Sequence, residues 1–350
     1  MINTIKAVCV IIGTIIGAGF ASGREIYIFF NRFGSIGILG ILISSLITGI
    51  VIYKVLTHIK SKKIKNYNEY IENLGVNKKI RDVLGIIINI FLLICFFIMT
   101  AGFSAYFKQE FAIPQMATGI VMAILCYFTF LNNIEGVTKI NTILIPALII
   151  MVVILGVKNG FGNLSELSTV GQLENTKGWF LASIEYASYN TILLIPILIG
   201  LKKYSYEKEK EISIVSSSIL FILSLILYTI LLNGGNSIQN VELPLIHIVN
   251  KFESTYKYIC GIIVVAAIFT SAIAAGYGFL ENSTKTKKGY KLLAILICIF
   301  SIFVSQLRFF ILSRFNISSF WTNKFCSNLM DYKVNYITIM LHQYYENIKF

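Results

Sequence analysis

Long apolar stretches alternate with short polar ones along the chain as far as about residue 307. A helix needs about 20 mostly apolar residues to cross the hydrocarbon core of a bilayer. Stretches close to that length lie at about Ala7–Asn31, Ser35–Leu56, Val83–Phe107, Pro114–Leu131, Ile140–Val157, Trp179–Leu201, Ile212–Leu232, Tyr258–Leu280 and Leu292–Leu307. The pattern predicts an all-α polytopic membrane protein with about nine clear spans. Local residues sharpen some boundaries. Pro114 suits the first turn of the fourth span, and Trp179 suits an interfacial anchor for the sixth. Ser44, Ser45 and Gly49 are small packing residues in the second span, and the polar patch Asn66–Leu74 reads as an interfacial helix.

Two spans are not plain lipid-facing helices. The first, Val10–Phe30, reads VIIGTIIGAGFASGREIYIFF. Each glycine weakens a helix by about 1 kcal/mol relative to alanine. Clustered at mid-membrane, Gly17, Gly19 and Gly23 suggest an opened backbone lining a cavity, as in a transporter's discontinuous helix. Gly13/Gly17 and Gly19/Gly23 also fit the GxxxG packing motif of an unbroken helix. A signal peptide fits poorly, because the apolar run resumes at Ile26 and further spans follow. The spacing GxGxxxG, with no strand before it, excludes a dinucleotide fingerprint.

The sixth span carries Glu185 and then Tyr186-Ala187-Ser188-Tyr189-Asn190. A carboxylate inside a membrane costs about 2.5–3.5 kcal/mol on insertion scales and calls for a functional reason. Glu185 lies six residues past Trp179, about 9 Å along a helix. Ser188 and Asn190 compete for backbone hydrogen bonds and suggest a second interruption; an intact helix whose polar groups bond to neighbours is the alternative. Five spans separate the two segments. Two halves of five would have opposite topologies, each opening with an interrupted helix, and such a pair points to a transporter's binding site.

Composition narrows the class. The 350 residues are 56% hydrophobic and 13% charged, too apolar for a soluble domain of this length. The net charge of +13 sits in short loops between spans, which argues for membrane topology and against nucleic-acid binding. The dense lysine clusters follow spans two, four, six and eight. The positive-inside rule therefore places the N-terminus in the cytoplasm. The six cysteines form no CxxC pair, and no disulfide or metal framework is indicated. His58, His247 and His342 are far apart, and HExxH, GxSxG and P-loop motifs are absent from the sequence, so no catalytic residues and no enzyme activity are expected.

The segments GTIIGAGFASGREI (Gly13–Ile26) and EYASYN (Glu185–Asn190) resemble those of the YkvI-like membrane proteins of Gram-positive bacteria, which are related to the amino acid–polyamine–organocation superfamily. The resemblance covers about Met1–Leu307. It implies a LeuT-like fold of inverted five-helix repeats, with helices 1 and 6 discontinuous, in a bacterial plasma membrane. Repeat one would span about residues 7–157 and repeat two would start near 179. Arg24 stands where the family pattern has glutamine, which bears on the extracellular gate.

The implied function is secondary transport of a small zwitterionic solute, an amino acid or related amine, coupled to sodium. The partners are then the lipid bilayer and the small-molecule solute. Gly17, Gly19, Phe20, Ser22, Tyr186, Tyr189 and Asn190 are the expected substrate-binding residues. A substrate carboxylate suits the free N–H groups at a half-helix N-terminus, and Tyr186 or Tyr189 suits an amine by cation–π contact. Glu25 and Glu185 are the expected gate, with a surface pair between Glu25 and Arg32 as the alternative. In sodium-coupled LeuT-like transporters, carbonyls of the first helix and hydroxyls of the eighth bind the ion. By that resemblance the ligands here are Gly13, Ile16, Thr270 and Ser271. Both hydroxyls back-bonding to their own helix is the alternative. Sodium is favoured over proton coupling because Lys139 sits at the very start of the fifth span rather than mid-span.

A non-transporting receptor on the same fold, resembling a germinant sensor, is the other functional class. From Arg308 the sequence changes to scattered Phe, Asn, Ser, Lys and Tyr, with no run of membrane length. A frameshift near Ser305–Arg308, replacing a tenth span and inactivating the transporter, is the expectation drawn from it. A native, divergent tail over 308–350 is the alternative.

Overall fold

The apolar run that opens the chain folds as three helical pieces, not one. In the computed structural model these are α1 (Ile2–Ile15), α2 (Ala18–Ala21) and α3 (Arg24–Phe29). A 3-10 segment, Asn31–Ile36, then leads into α4 (Gly37–Ser61). The remaining helices are α5 (Tyr67–Glu72), α6 (Lys78–Phe111), α7 (Gln115–Leu131), α8 (Asn133–Lys158), α9 (Trp179–Gly200), α10 (Lys202–Ser205), α11 (Glu209–Leu232), α12 (Pro244–Val249), α13 (Ser254–Ser283) and α14 (Lys287–Val304). The structure describes residues 2–73, 78–158, 178–205, 207–232, 234, 238, 244–249, 254–284 and 286–306, all within one compact unit, residues 1–306. Every regular element among them is helical. The readings made for the tail 308–350 lie outside the described residues.

Each of the nine expected spans coincides with a helix or, for the first, a broken series. Six helical stretches are long and apolar enough to cross a membrane: Asn31–Ser61, Arg81–Lys108, Asn133–Lys158, Trp179–Gly200, Glu209–Leu232 and Cys260–Ser283. Ile2–Ile15 and Gln115–Leu131 are shorter apolar helices. α14 has 18 residues, with Lys287, Lys288 and Lys291 in its first turns. One boundary moves. The loop expected around Glu135 and Lys139 is helix, because Asn133 adopts a left-handed φ of 50° and turns the chain at once. Asparagine tolerates that conformation better than most residues. The polar patch from Asn66 forms a helix, α5, where the Asn66 side chain accepts the Glu69 N–H at 2.9 Å and Glu69 accepts the Lys65 N–H at 2.8 Å, a reciprocal cap.

The packing joins early spans to late ones. α1 contacts α9, α4 contacts α11, α6 contacts α13, and α7 contacts α14. These are spans one and six, two and seven, three and eight, and four and nine. Spans one to four therefore each touch the span that stands five later in the chain. Specific bonds pin this pairing. Ser213 Oγ donates to the Gly49 carbonyl at 2.6 Å. Asn31 Nδ2 donates to the Tyr228 carbonyl at 3.0 Å, and Tyr228 Oη donates to the Gly34 carbonyl at 2.8 Å. At the lysine-rich ends, Lys60 pairs with Glu209 at 3.2 Å. Lys203 donates to Glu135, and this hydrogen bond to a carboxylate raises the Lys203 pKa above its ordinary value.

α1 sits at the centre, against α8, α9, α11 and α13. Ala7 and Val10 through Ile12 are fully buried. A helix apolar all round belongs in the interior of a bundle, and this placement puts the break in the first span at the heart of the molecule.

The expected interruption of the sixth span is not found: α9 runs unbroken from Trp179 to Gly200. Its polar side chains bond back to their own helix. Ser183 donates to the Trp179 carbonyl (2.7 Å), Asn190 to the Tyr186 carbonyl (3.0 Å) and Thr191 to the Ala187 carbonyl (2.7 Å). These bonds occupy the Ser183 and Thr191 hydroxyls and the Asn190 amide N–H without opening the backbone. Pro196 also lies within the continuous helix.

Candidate functional site

Opening the first span frees backbone oxygens. The Gly17 N–H turns back to the Ile15 carbonyl at 2.9 Å instead of reaching Gly13 four residues away. One helical turn, α2, follows, and a second interruption at Ser22-Gly23 precedes α3. Gly23 has φ 81°, a left-handed conformation that glycine adopts without steric cost. The opening therefore has two points, Ile16-Gly17 and Ser22-Gly23.

At the first point, Ser271 of α13 reaches across. Its Oγ lies 3.1 Å from the Ile16 carbonyl and 3.4 Å from that of Gly13. One hydroxyl proton serves two carbonyls, so the three oxygens are left rich in lone pairs. Thr270 Oγ1 instead donates to Ala267 in its own helix at 3.1 Å. The structure thus brings Gly13, Ile16 and Ser271 together and gives Thr270 a separate partner. Sequence reading missed a fourth oxygen. Asn141 of α8 is fully buried, its Nδ2 donates to the Val137 carbonyl at 2.9 Å, and its Oδ1 has no partner. That Oδ1 lies against Gly13, where any Cβ would overlap it. The signal was a lone amide two residues beyond Lys139 in an apolar run. Oxygen donors of this kind suit a hard cation.

At the second point, the side chains converge. Phe20 is fully buried and Ser22 is 2% exposed. Ser22 Oγ donates to the Gly19 carbonyl at 3.1 Å, and the Ser22 carbonyl accepts the Leu245 N–H from α12 at 2.9 Å. Glu25 folds back against Gly19, is 3% exposed, and has an unpartnered Oε2. Tyr186 of α9 packs on Phe29 and Phe30, with ring centroids 5.4 and 5.1 Å apart. Tyr189 meets Phe91 at 6.1 Å. Both tyrosines lie within electrostatic reach of Glu25. Asn190, one turn beyond Tyr186, is fully buried with an unpartnered Oδ1.

Glu185 is only partly buried and lies within electrostatic reach of Arg32. The two glutamates therefore occupy different settings: Glu185 faces a cation near the rim, and Glu25 lies inside. A cavity of about 620 Å³ opens at the lysine-rich end of the bundle, lined by Ile134, Gly200, Lys203, Tyr277, Glu281 and Tyr290 among others. Among the described residues, no group of three or more His, Cys, Asp or Glu side chains is placed to hold a metal.

No protein-family model matches the chain. The chain is 26% identical over 298 residues to YkvI, an uncharacterised membrane protein of Bacillus subtilis, covering 82% of this chain and 84% of that protein. It is also 26% identical over 276 residues to the uncharacterised protein YyaD of the same organism, covering 78% of this chain and 79% of that one. The likeness indicated by the two motifs thus extends over most of the chain. Among solved structures, a Na+-coupled sialic acid symporter in a substrate-bound outward-open state superposes with a TM-score of 0.60 at 15% identity, covering 89% of this chain and 74% of that one. A manganese transporter of Eremococcus coleocola superposes with a TM-score of 0.56 at 12% identity, covering 88% of this chain and 70% of that one. The fold is that of these LeuT-like transporters, and the protein is a multi-pass membrane protein.

Proposed function

We propose that this protein is a secondary transporter that moves a small zwitterionic solute, an amino acid or related amine, together with sodium. The observation that carries the reading is the oxygen cluster at the first break. Ser271 Oγ lies against the Gly13 and Ile16 carbonyls, Asn141 Oδ1 lies beside Gly13, and a small cation would complete this set. The sodium coupling printed for the sialic acid symporter belongs to that protein; it supports the same assignment here on a shared fold. The solute would lie one turn further along, among Gly17, Gly19, Phe20, Ser22, Tyr186, Tyr189 and Asn190. With the lysine-rich ends in the cytoplasm, Glu185 and Arg32 guard the outer side, and the 620 Å³ cavity lies on the inner side as a release vestibule.

The first test is a thermal-shift screen of the purified full chain over amino acids, betaines and amines, with and without sodium. A stabilising solute is then supplied to proteoliposomes under an inward sodium gradient. Saturable uptake that stops when the gradient is removed is the expected result. Stabilisation without uptake under any gradient would make the protein a receptor on this fold.

A further inference from the structure

We infer that Glu25 binds the ammonium group of the solute, and that the solute class is therefore amines that carry N–H donors. The inference rests on the transporter reading and adds the chemistry of recognition to it.

Three buried polar side chains lie near one another: Tyr186 is within electrostatic reach of Glu25 and of the Asn190 side chain, and Glu25 Oε2, Tyr186 Oη and Asn190 Oδ1 have no hydrogen-bond partner. Their residues are 3%, 1% and 0% exposed. Tyr186 and Asn190 share one face of α9, one turn apart. The Phe29 and Phe30 rings hold Tyr186 against the helix that carries Glu25. Gly19 lets Glu25 fold inward, because a Cβ there would overlap the carboxylate. An unpaired carboxylate at this depth is among the costliest groups a membrane protein can carry, and unpartnered buried acceptors are rare in native structures. Two of the three orphans accept only, and the hydroxyl can accept. A protonated primary amine offers three donors and one positive charge, which matches three acceptors and one negative charge. A trimethylated ammonium offers the charge and no donor. Tyr189, within electrostatic reach of Glu25, adds an aromatic wall that favours a cation.

The test uses matched probes that differ only at nitrogen: glycine against its N,N,N-trimethyl counterpart, and ethanolamine against choline. Thermal stabilisation of the full chain is measured for the wild type, Glu25→Gln and Tyr186→Phe. Sodium-dependent stabilisation without amine is read in parallel. The expected result is stabilisation of the wild type by a primary amine and not by its trimethylated partner. Glu25→Gln should weaken that amine by about tenfold to a hundredfold, the range for a lost charge-assisted hydrogen bond. Tyr186→Phe, which keeps the ring, should weaken it by about tenfold or less. Equal response to both members of a pair, no response to either primary amine, or an unchanged affinity in Glu25→Gln overturns the assignment. Loss of the sodium response in the wild type counts against the transporter reading instead. If Glu25→Gln does not fold, Tyr186→Phe decides, and an unchanged preference for the primary amine there overturns the three-acceptor site.

Discussion

The first and sixth spans occupy equivalent places in the two halves, and both carry polar and small residues at mid-depth, yet only the first is open. The difference lies in where each can put its hydrogen bonds. Gly13, Gly17, Gly19 and Gly23 have no side chains, so when the helix yields there its carbonyls turn outward and must find partners elsewhere. In α9, Ser183, Asn190 and Thr191 carry side chains that bond to the carbonyls of the preceding turn. The consequence is a division of labour. The first span supplies backbone oxygens, which Ser271 meets from α13. The sixth supplies side chains, Tyr186 and Asn190, from a rigid rail.

The sharpest way to break this contrast is Gly13→Ala. Its Cβ overlaps Asn141 Oδ1, and overpacking of this kind costs about 1–3 kcal/mol. The expected outcome is a lowered melting temperature together with loss of sodium-dependent stabilisation. Adding Asn141→Ala should recover the melting temperature by removing the clash but leave the sodium response absent; recovery of both would mean that Asn141 plays no part in the cation site.

Next in size is the asymmetry within α13. Ser271→Ala should abolish sodium-dependent stabilisation and, because coupling is reciprocal, weaken the solute as well. Thr270→Ala should change the sodium response far less, since Thr270 bonds within its own helix. Equal effects of the two substitutions would place Thr270 in the site after all. The smallest effect is expected at the clamp between halves. Tyr228→Phe removes one hydrogen bond to the Gly34 carbonyl, worth about 0.5–1.5 kcal/mol, with sodium and solute responses retained. A loss of either response would show that the clamp sets the geometry of the break.

The fold was legible where physics acts on long averages. Membrane-length apolar runs and lysine-bearing loops do not depend on detail. The opening of the first span was legible too, because clustered glycines have few other uses at mid-membrane. The sixth span was not: Ser188, Asn190 and Thr191 have the same letters whether they break a helix or bond back to it, and only coordinates distinguish the two. The candidate cation site was half legible. Gly13, Ile16 and Ser271 meet as the resemblance implied, whereas Thr270 turns to Ala267. Asn141 was overlooked because its importance comes from α8 packing on α1, a contact across 128 positions that no local pattern records. Glu25 was read as a gate residue, with a surface pair to Arg32 as the alternative; Gly19 lets Glu25 fold inward, and it is Glu185 that lies within electrostatic reach of Arg32.

The counterpart packing of spans has a consequence for biogenesis. The bonds that join the halves connect residues 164, 194, 197 and 255 positions apart. At the usual rate of synthesis the later partner emerges roughly 10–50 s after the earlier one. During that interval the Asn31 amide and the opened Gly13 and Ile16 carbonyls reside in a half-made bundle without their eventual partners. The nascent first half must therefore be shielded, by the insertion machinery or by water held at the break, until Tyr228 and then Ser271 arrive.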